Sequence, residues 1–344
     1  MKFVPFSPLK RNLIAAVLAT AVTGLFAGNA MAQQTRNIKL GTALAPDHPQ
    51  VISLEYFAKR VGEMSGGKMA VKVFPSGGLG NDVSMISALQ GGTLDMTISD
   101  TGPIASQIKE FSLINLPFTF NNSTEADKVI DGPFGQKLLG RLPERDLIGL
   151  GLWENGFRHV TNSKRDITTA ADLEGLKLRV IQSPLYIDTF KALGVNPQPM
   201  AFPEVFTALE TKTVDGQENP AATILSSKFF EVQKNVVLTR HIYSVWALLF
   251  SKKVWDTYTP AEQQILRDAG REATLFERTV IRAYDSKALD DLKARGMTIT
   301  SLPPAEQAKV LAKLKPVIEN LMKINGEAAA AEMFAELAKA RAGR

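Results

Sequence analysis

The sequence contains no cysteine. That excludes disulfide staples, thiolate metal sites and cysteine nucleophiles. Histidine is scarce: His48, His159 and His241 stand far apart, with no recognisable metal spacing. No G-x-S-x-G elbow, G-x-x-x-x-G-K phosphate loop or H-E-x-x-H zinc motif occurs. The "GGLGND" run at 77–82 lacks the third glycine of a dinucleotide fingerprint. An enzyme, a cofactor and a metal site therefore all lack sequence support. After the N-terminal leader, no stretch offers about 18 consecutive apolar residues, so the mature chain is expected to be soluble.

The leader is the first positive feature. Lys2, Lys10 and Arg11 precede an apolar run at 13–28 and then the small-residue site Ala30-Met31-Ala32. This pattern predicts a secretory signal peptide over 1–32, cut after Ala32, and a periplasmic product. The alternative, an uncleaved anchor, meets a run that is short for a membrane span. The leader holds three cations and no acid, so most of the formal charge of +5 leaves with it. The mature chain, near +2, is not basic enough to imply a nucleic-acid partner. Its length implies two domains.

Strand-like and helix-like segments alternate along the chain. Strands are predicted at 37–44, 68–75, 94–99, 147–153, 176–181, 236–242 and 245–255, from period-2 patterns and apolar runs. A helix is predicted over 49–64, with Leu54, Phe57, Ala58 and Val61 on one face, and another over 82–90. Ser183-Pro184 opens a third that Gly194 closes, with Ser183 as N-cap. Thr259-Pro260-Ala261-Glu262 is a capping box ahead of a run without proline to about Gly296. That run reads either as one long helix or as two broken at Gly270. Alternation of this kind predicts α/β architecture with mostly parallel sheets.

Several strand-to-helix junctions carry a polar residue beside a proline: His48 before Pro49, Gln182 and Ser183 before Pro184, Phe202 before Pro203, Asn219 before Pro220. In an α/β sheet such junctions gather at the carboxyl edge, where helix N-termini favour negative charge. Arg179 ends a predicted strand there, and Arg158 of "NGFRHV" can join it. An arginine fork matches a carboxylate in bidentate fashion. Read singly, each residue also has an ordinary role. Arg179 and Arg158 fit solvated edges, Asn219 an N-cap, Phe202 the core, and His48 and Asp100 turns.

The motifs "NGFRHVTNS", "GLKLRV" and "PMAFPEVFTALETKTVDGQENP", with "HPQVISLEYFAKRVGEMSGGKMAVKVFPSGGLGND" and "LQGGTLDMTISD" before them, resemble a specific family. It is the substrate-binding subunit of tripartite ATP-independent periplasmic (TRAP) transporters, of the dicarboxylate-binding-protein (DctP) type. The resemblance covers nearly all of the mature chain. It implies a two-lobed periplasmic-binding-protein fold that closes on an organic acid, with a long helix spanning both lobes. Lobe I is expected at 33–156 plus about 245–270. Lobe II is expected at 157–244 plus about 271–344, including the spanning helix from 260.

The resemblance also implies roles. Arg179 matches the arginine that clamps the substrate carboxylate, Asn219 a carboxylate-binding asparagine, and Arg158 a second basic contact. Phe202 and Gln182 match pocket-lining positions. Asp100 falls where some members contact substrate hydroxyls, and His48 lies in a loop that lines the cleft. Ile181 stands where many members have proline, and Trp246 occupies a position that varies with ligand. The implied partners are a small organic acid and the small and large membrane permease subunits, with the binding protein a monomer. Asp100, His48, Gln182, Phe202 and Trp246 form a set suited to a sugar acid, such as the hexuronates glucuronate or galacturonate. A four-carbon dicarboxylate is the alternative. A ligand sensor for a receptor kinase is the alternative class.

Overall fold

A computed structural model describes residues 35–343; the predicted leader lies outside the described residues. The order of the main elements is β1 (Arg36–Gly41), α1 (Pro49–Met64), β2 (Met69–Phe74), α2 (Asp82–Gly91), β3 (Met96–Asp100), α3 (Thr101–Ala105), α4 (Ser123–Ile130), α5 (Pro133–Arg141), β4 (Leu147–Phe157), β5 (His159–Asn162) and β6 (Lys177–Val180). There follow α6 (Pro184–Ala192), β7 (Asn196–Pro199), α7 (Val205–Glu210), β8 (Gly216–Asn219), α8 (Ala221–Ser226), β9 (Asn235–Leu238), β10 (Tyr243–Ser251), α9 (Lys252–Trp255), α10 (Pro260–Ala294), β11 (Thr298–Ser301) and α11 (Pro304–Arg341).

The strands form two sheets, and each sheet is the centre of one lobe. The first has the order β2-β1-β3-β10-β4, the second β11-β9-β5-β8-β6-β7. The chain crosses between them at Arg158, which separates β4 from β5, and again between β9 and β10. The sheets are mixed rather than mostly parallel. β10 runs antiparallel to both β3 and β4, and β5 antiparallel to both β8 and β9. The parallel pairs include β1 with β3, β6 with β7 and β8, and β9 with β11, and of these β6 and β7 are joined directly by a helix, α6. The strands next to the crossings enter against that grain.

Local chemistry explains the helices that flank the cleft. In α1, Leu54, Phe57 and Val61 are buried against the first sheet while Ala58 is half-buried, as the spacing predicts. Asn81 and Ser84 form the capping box of α2, and Gly92 ends it in the left-handed conformation. α10 begins at the Thr259–Glu262 capping box and runs 35 residues without a break, about 50 Å. Gly270 does not split it. An added Cβ there would lie 2.9 Å from Leu150 O, so the glycine allows the helix to approach β4 closely. α10 packs on α1 and β4 of the first lobe and further along on α8 and β11 of the second.

The segment 271–344, expected in lobe II, also contacts first-lobe residues: Arg278 and Arg282 of α10 pair with Asp131 and Glu154, and α11 adds further contacts. α11 is broken at Gly326, whose φ of 116° no other residue type adopts readily. Before the break, Glu306 accepts from Ala170 N and Lys313 pairs with Glu174, both in the second lobe. After it, Glu332 pairs with Lys137, Glu336 accepts from Phe134 N, and Arg341 pairs with Glu125 on the first lobe. The C-terminal helix thus crosses between lobes as well.

Candidate functional site

The carboxyl ends of β3, β6 and β8 face one another across the space between the lobes. The walls enclose a narrow cleft that is partly open to solvent. Asp100, Arg158, Arg179, Gln182, Phe202, Asn219 and Trp246 all line it. His48 does not. Its ring is fully buried one step behind the wall, where it contacts the lining residue Thr223.

Arg179 is the third residue of β6, paired with Gln217 of β8 and Gln198 of β7. It is 3% exposed, not a solvated edge residue. Its Nε and Nη2 donate to Met200 O at 3.0 and 2.8 Å, and its guanidinium lies 5.7 Å over the Phe202 ring. Among the described residues, no carboxylate forms an ion pair with it. Burial, with Arg158 nearby, lowers its pKa to about 10 despite attraction from Glu218, Asp82 and Asp100. It is a desolvated cation without a counterion.

Arg158 is different. Its Nε and Nη2 reach Glu218 Oε2 and Oε1 at 2.5 and 2.9 Å, and Nη2 also reaches Glu218 O and Asn219 Oδ1. Glu218 is fully buried and accepts from His241 Nε2 at 3.1 Å as well. The charge of Arg158 is therefore neutralised from behind the wall. The Asn219 amide is held at both ends, by Arg158 and by donation to Gln217 Oε1.

On the opposite wall, Asp100 accepts from Gly102 N at 2.7 Å and from Ser244 Oγ at 2.6 Å. Burial raises its pKa, against the pull of Arg158. Trp246 sits opposite Asp100 and Trp153 in β10 and is 6% exposed. With its amide oxygen turned inward, Asn155 accepts from Trp246 Nε1 and Arg158 Nη1 at 2.9 and 3.2 Å. Gln182 lies exposed at the rim. Ser183 occupies the N-cap position of α6, but its hydroxyl makes no capping bond and is buried without a partner.

Sequence reading passed over Asp82, in the first turn of α2. Its Oδ1 is sealed from solvent without a hydrogen-bond donor. Burial, then Asp100, push its pKa up to about 7, while Arg179 pulls it down. The signal was available, because Asp82 follows β2 at the same kind of strand-to-helix junction as Asp100. Glu218 was missed for another reason: β8 reads "GQEN", with no apolar residue to reveal that all four are buried. The cavity thus offers one uncompensated cation, Arg179, and two carboxylates, Asp82 and Asp100. Among the described residues, no group of histidines and acids is placed to hold a metal ion.

Residues 40–325 match the family described as bacterial extracellular solute-binding protein, family 7 (DctP). The solved sugar acid binding protein DctPAm from Advenella mimigardefordensis strain DPN7T, in complex with galactonate, superposes with a TM-score of 0.88 at 42% identity, over 89% of this chain and 99% of that one. The 2,3-diketo-L-gulonate-binding periplasmic protein YiaO of Escherichia coli K12 is 37% identical, covering 82% of this chain and 86% of its own. The C4-dicarboxylate-binding periplasmic protein DctP of Rhodobacter capsulatus is 32% identical, covering 94% and 97%. With its two lobes, the spanning helix and a cleft arginine that lacks a counterion, the chain belongs to this family of TRAP-transporter solute-binding proteins, which bind small organic acids outside the cytoplasm for membrane permease subunits and are not enzymes.

Proposed function

We propose that this protein is a monomeric periplasmic receptor, exported by the leader at 1–32, that captures a six-carbon sugar acid for its permease. The carboxylate sits on Arg179 beside Asn219. The sugar hydroxyls donate to Asp100 and Asp82, and one face of the ligand lies against Trp246 or Phe202. Hexuronates such as glucuronate and galacturonate, and open-chain aldonates such as galactonate, are the candidates.

The observation that carries this reading is the charge balance of the cavity. A four-carbon dicarboxylate needs a cation at each end. Here Arg158 is already neutralised by Glu218, and the groups that remain opposite Arg179 are acidic. A second carboxylate would face Asp82 and Asp100, at a cost of like-charge repulsion. Hydroxyls, by contrast, can donate to Asp82 Oδ1, which has no donor, and to the remaining lone pairs of Asp100. The sugar-acid ligand of the Advenella protein supports the same choice.

A thermal-shift panel of galacturonate, glucuronate, galactonate, gulonate and succinate tests it. Ligand at 100 times its Kd adds about 2.7 kcal/mol of stability, which is readily seen as a shift in Tm. At least one sugar acid should shift the melt more than succinate. A larger shift with succinate would reverse the assignment. With Trp153 and Trp255 replaced by Phe, the fluorescence of Trp246 should change on binding, and Trp246→Ala should weaken sugar acids more than succinate. Equal losses would make it a core residue only.

A further inference from the structure

The lobes touch around the cavity, and one of the contacts is polar. An added Cβ at Gly102 would meet Ile181 and Ser183 across the cleft, and one at Gly77 would meet Pro203. His48, in the first lobe, reaches Thr223 of α8, in the second, with Nε2 and Oγ1 at 3.1 Å. The tautomer is set locally. His48 Nδ1 accepts from Gln50 N at 3.1 Å as the cap of α1, so the ring hydrogen resides on Nε2 and donates to Thr223. His48 is 0% exposed and Thr223 2%.

We propose that this bond is a latch for lobe closure that works only with neutral His48, so that ligand affinity falls on acidification. It rests on the reading of the protein as a receptor that closes on an organic acid. A proton on Nδ1 would displace the Gln50 N–H and leave a charge sealed between the lobes. When the lobes part, the ring loses its cover by α8 and can be protonated in water. The proton therefore selects the open form and the ligand the closed one. Burial alone lowers the ring's pKa to about 3. The nearby charged groups are Asp47 beside it, Glu154 on β4 and Asp285 on α10. Glu154 is held by Arg282, and Asp285 accepts from Ala222 N. None of them contributes to the shift of the ring.

Two variants separate cap from latch. In His48→Asn, Oδ1 can still accept from Gln50 N, but the side chain is too short to reach Thr223. In His48→Gln, the amide can donate to Thr223 but does not titrate. Calorimetric titration of the full protein with galacturonate and galactonate, from pH 8 to pH 5, is the test. Native affinity should fall by about 10- to 30-fold, the response to one proton with an open-form pKa near 6.5. His48→Asn should bind roughly 3- to 10-fold more weakly at pH 8 and lose most of this slope. His48→Gln should restore affinity at pH 8 and remain flat. Any slope due to Asp82 is common to all three proteins, so the differences report His48. A native slope and affinity in His48→Asn would overturn the latch. Failure of the native protein to bind either of these acids at pH 8 would instead overturn the sugar-acid reading. Small-angle scattering of the ligand-free protein then decides the latch: the native radius must grow between pH 8 and pH 5, that of His48→Asn must not, and an unchanged native radius overturns it.

Discussion

Arg179→Ala removes the cavity cation that no carboxylate neutralises. The guanidinium is 3% exposed, and burial above all lowers its pKa from the ordinary arginine value to about 10. That drop corresponds to roughly 3 kcal/mol by which the closed, empty site disfavours the charge. The sign follows from the lowered value. At neutral pH the side chain is protonated in folded and unfolded protein alike, so the cost is fully present, and it is relieved only as pH rises past about 10. Ligand-free Arg179→Ala should therefore melt no lower than the native protein, since cavity water can serve the Met200 carbonyl. Binding should suffer instead. Truncating one partner of a desolvated charge pair costs about 2–5 kcal/mol. At 1.4 kcal/mol per decade, Kd should rise by about 30-fold to several thousand-fold. Arg179→Lys should recover only part of this, because an ammonium cannot hold the Met200 carbonyl and grip a carboxylate with a planar fork together. Calorimetric titration with a sugar acid, and a thermal melt without one, measure both quantities. Near-native affinity in Arg179→Ala would refute the clamp. A large fall in the ligand-free Tm would show that the arginine serves Met200 and the fold rather than a ligand.

Gly102→Ala should weaken binding by about 3- to 30-fold, because its Cβ would sit 3.1 Å from Ile181 Cγ2 and 3.2 Å from Ser183 Cβ across the cleft; scattering should show incomplete contraction with ligand, and full contraction would count against the wedge. Asp82→Asn should stabilise the ligand-free protein more at pH 8 than at pH 4. The folded pKa is raised to about 7, so the native state loses stability as pH rises from about 4 through 7, and the amide removes that loss; melts at the two pH values check it, and an equal gain would argue against a buried carboxyl. Gly270→Ala should cost about 1–3 kcal/mol despite the better helix propensity of alanine, since its Cβ would meet Leu150 O at 2.9 Å; denaturant unfolding should show a lower midpoint, and an unchanged one would mean that α10 can move off β4.

By itself the sequence determined the elements whose side-chain period or caps are local. α1 shows its buried face at helical spacing, and α10 announces its start at Thr259–Glu262. It also marked the ends of β3, β6 and β8 as positions of interest, since strand-to-helix junctions of one sheet edge converge whatever the details of packing. Arg179, Arg158, Asn219, Asp100, Phe202, Gln182 and Trp246 accordingly line one cavity. Only the tertiary structure decided what each of them is free to do. Arg158 looks like Arg179 in sequence, but the antiparallel pairing of β5 with β8 sets Glu218 against it, 60 residues away, and removes it as a second anion site. Asp82 gains its role from Asp100 and Arg179, which belong to other strands. His48 is separated by 175 residues from the threonine it contacts. Periodicity reports which side chains avoid water. Which charge meets which, and in what tautomer, depends on contacts between distant segments that exist only once both lobes are folded.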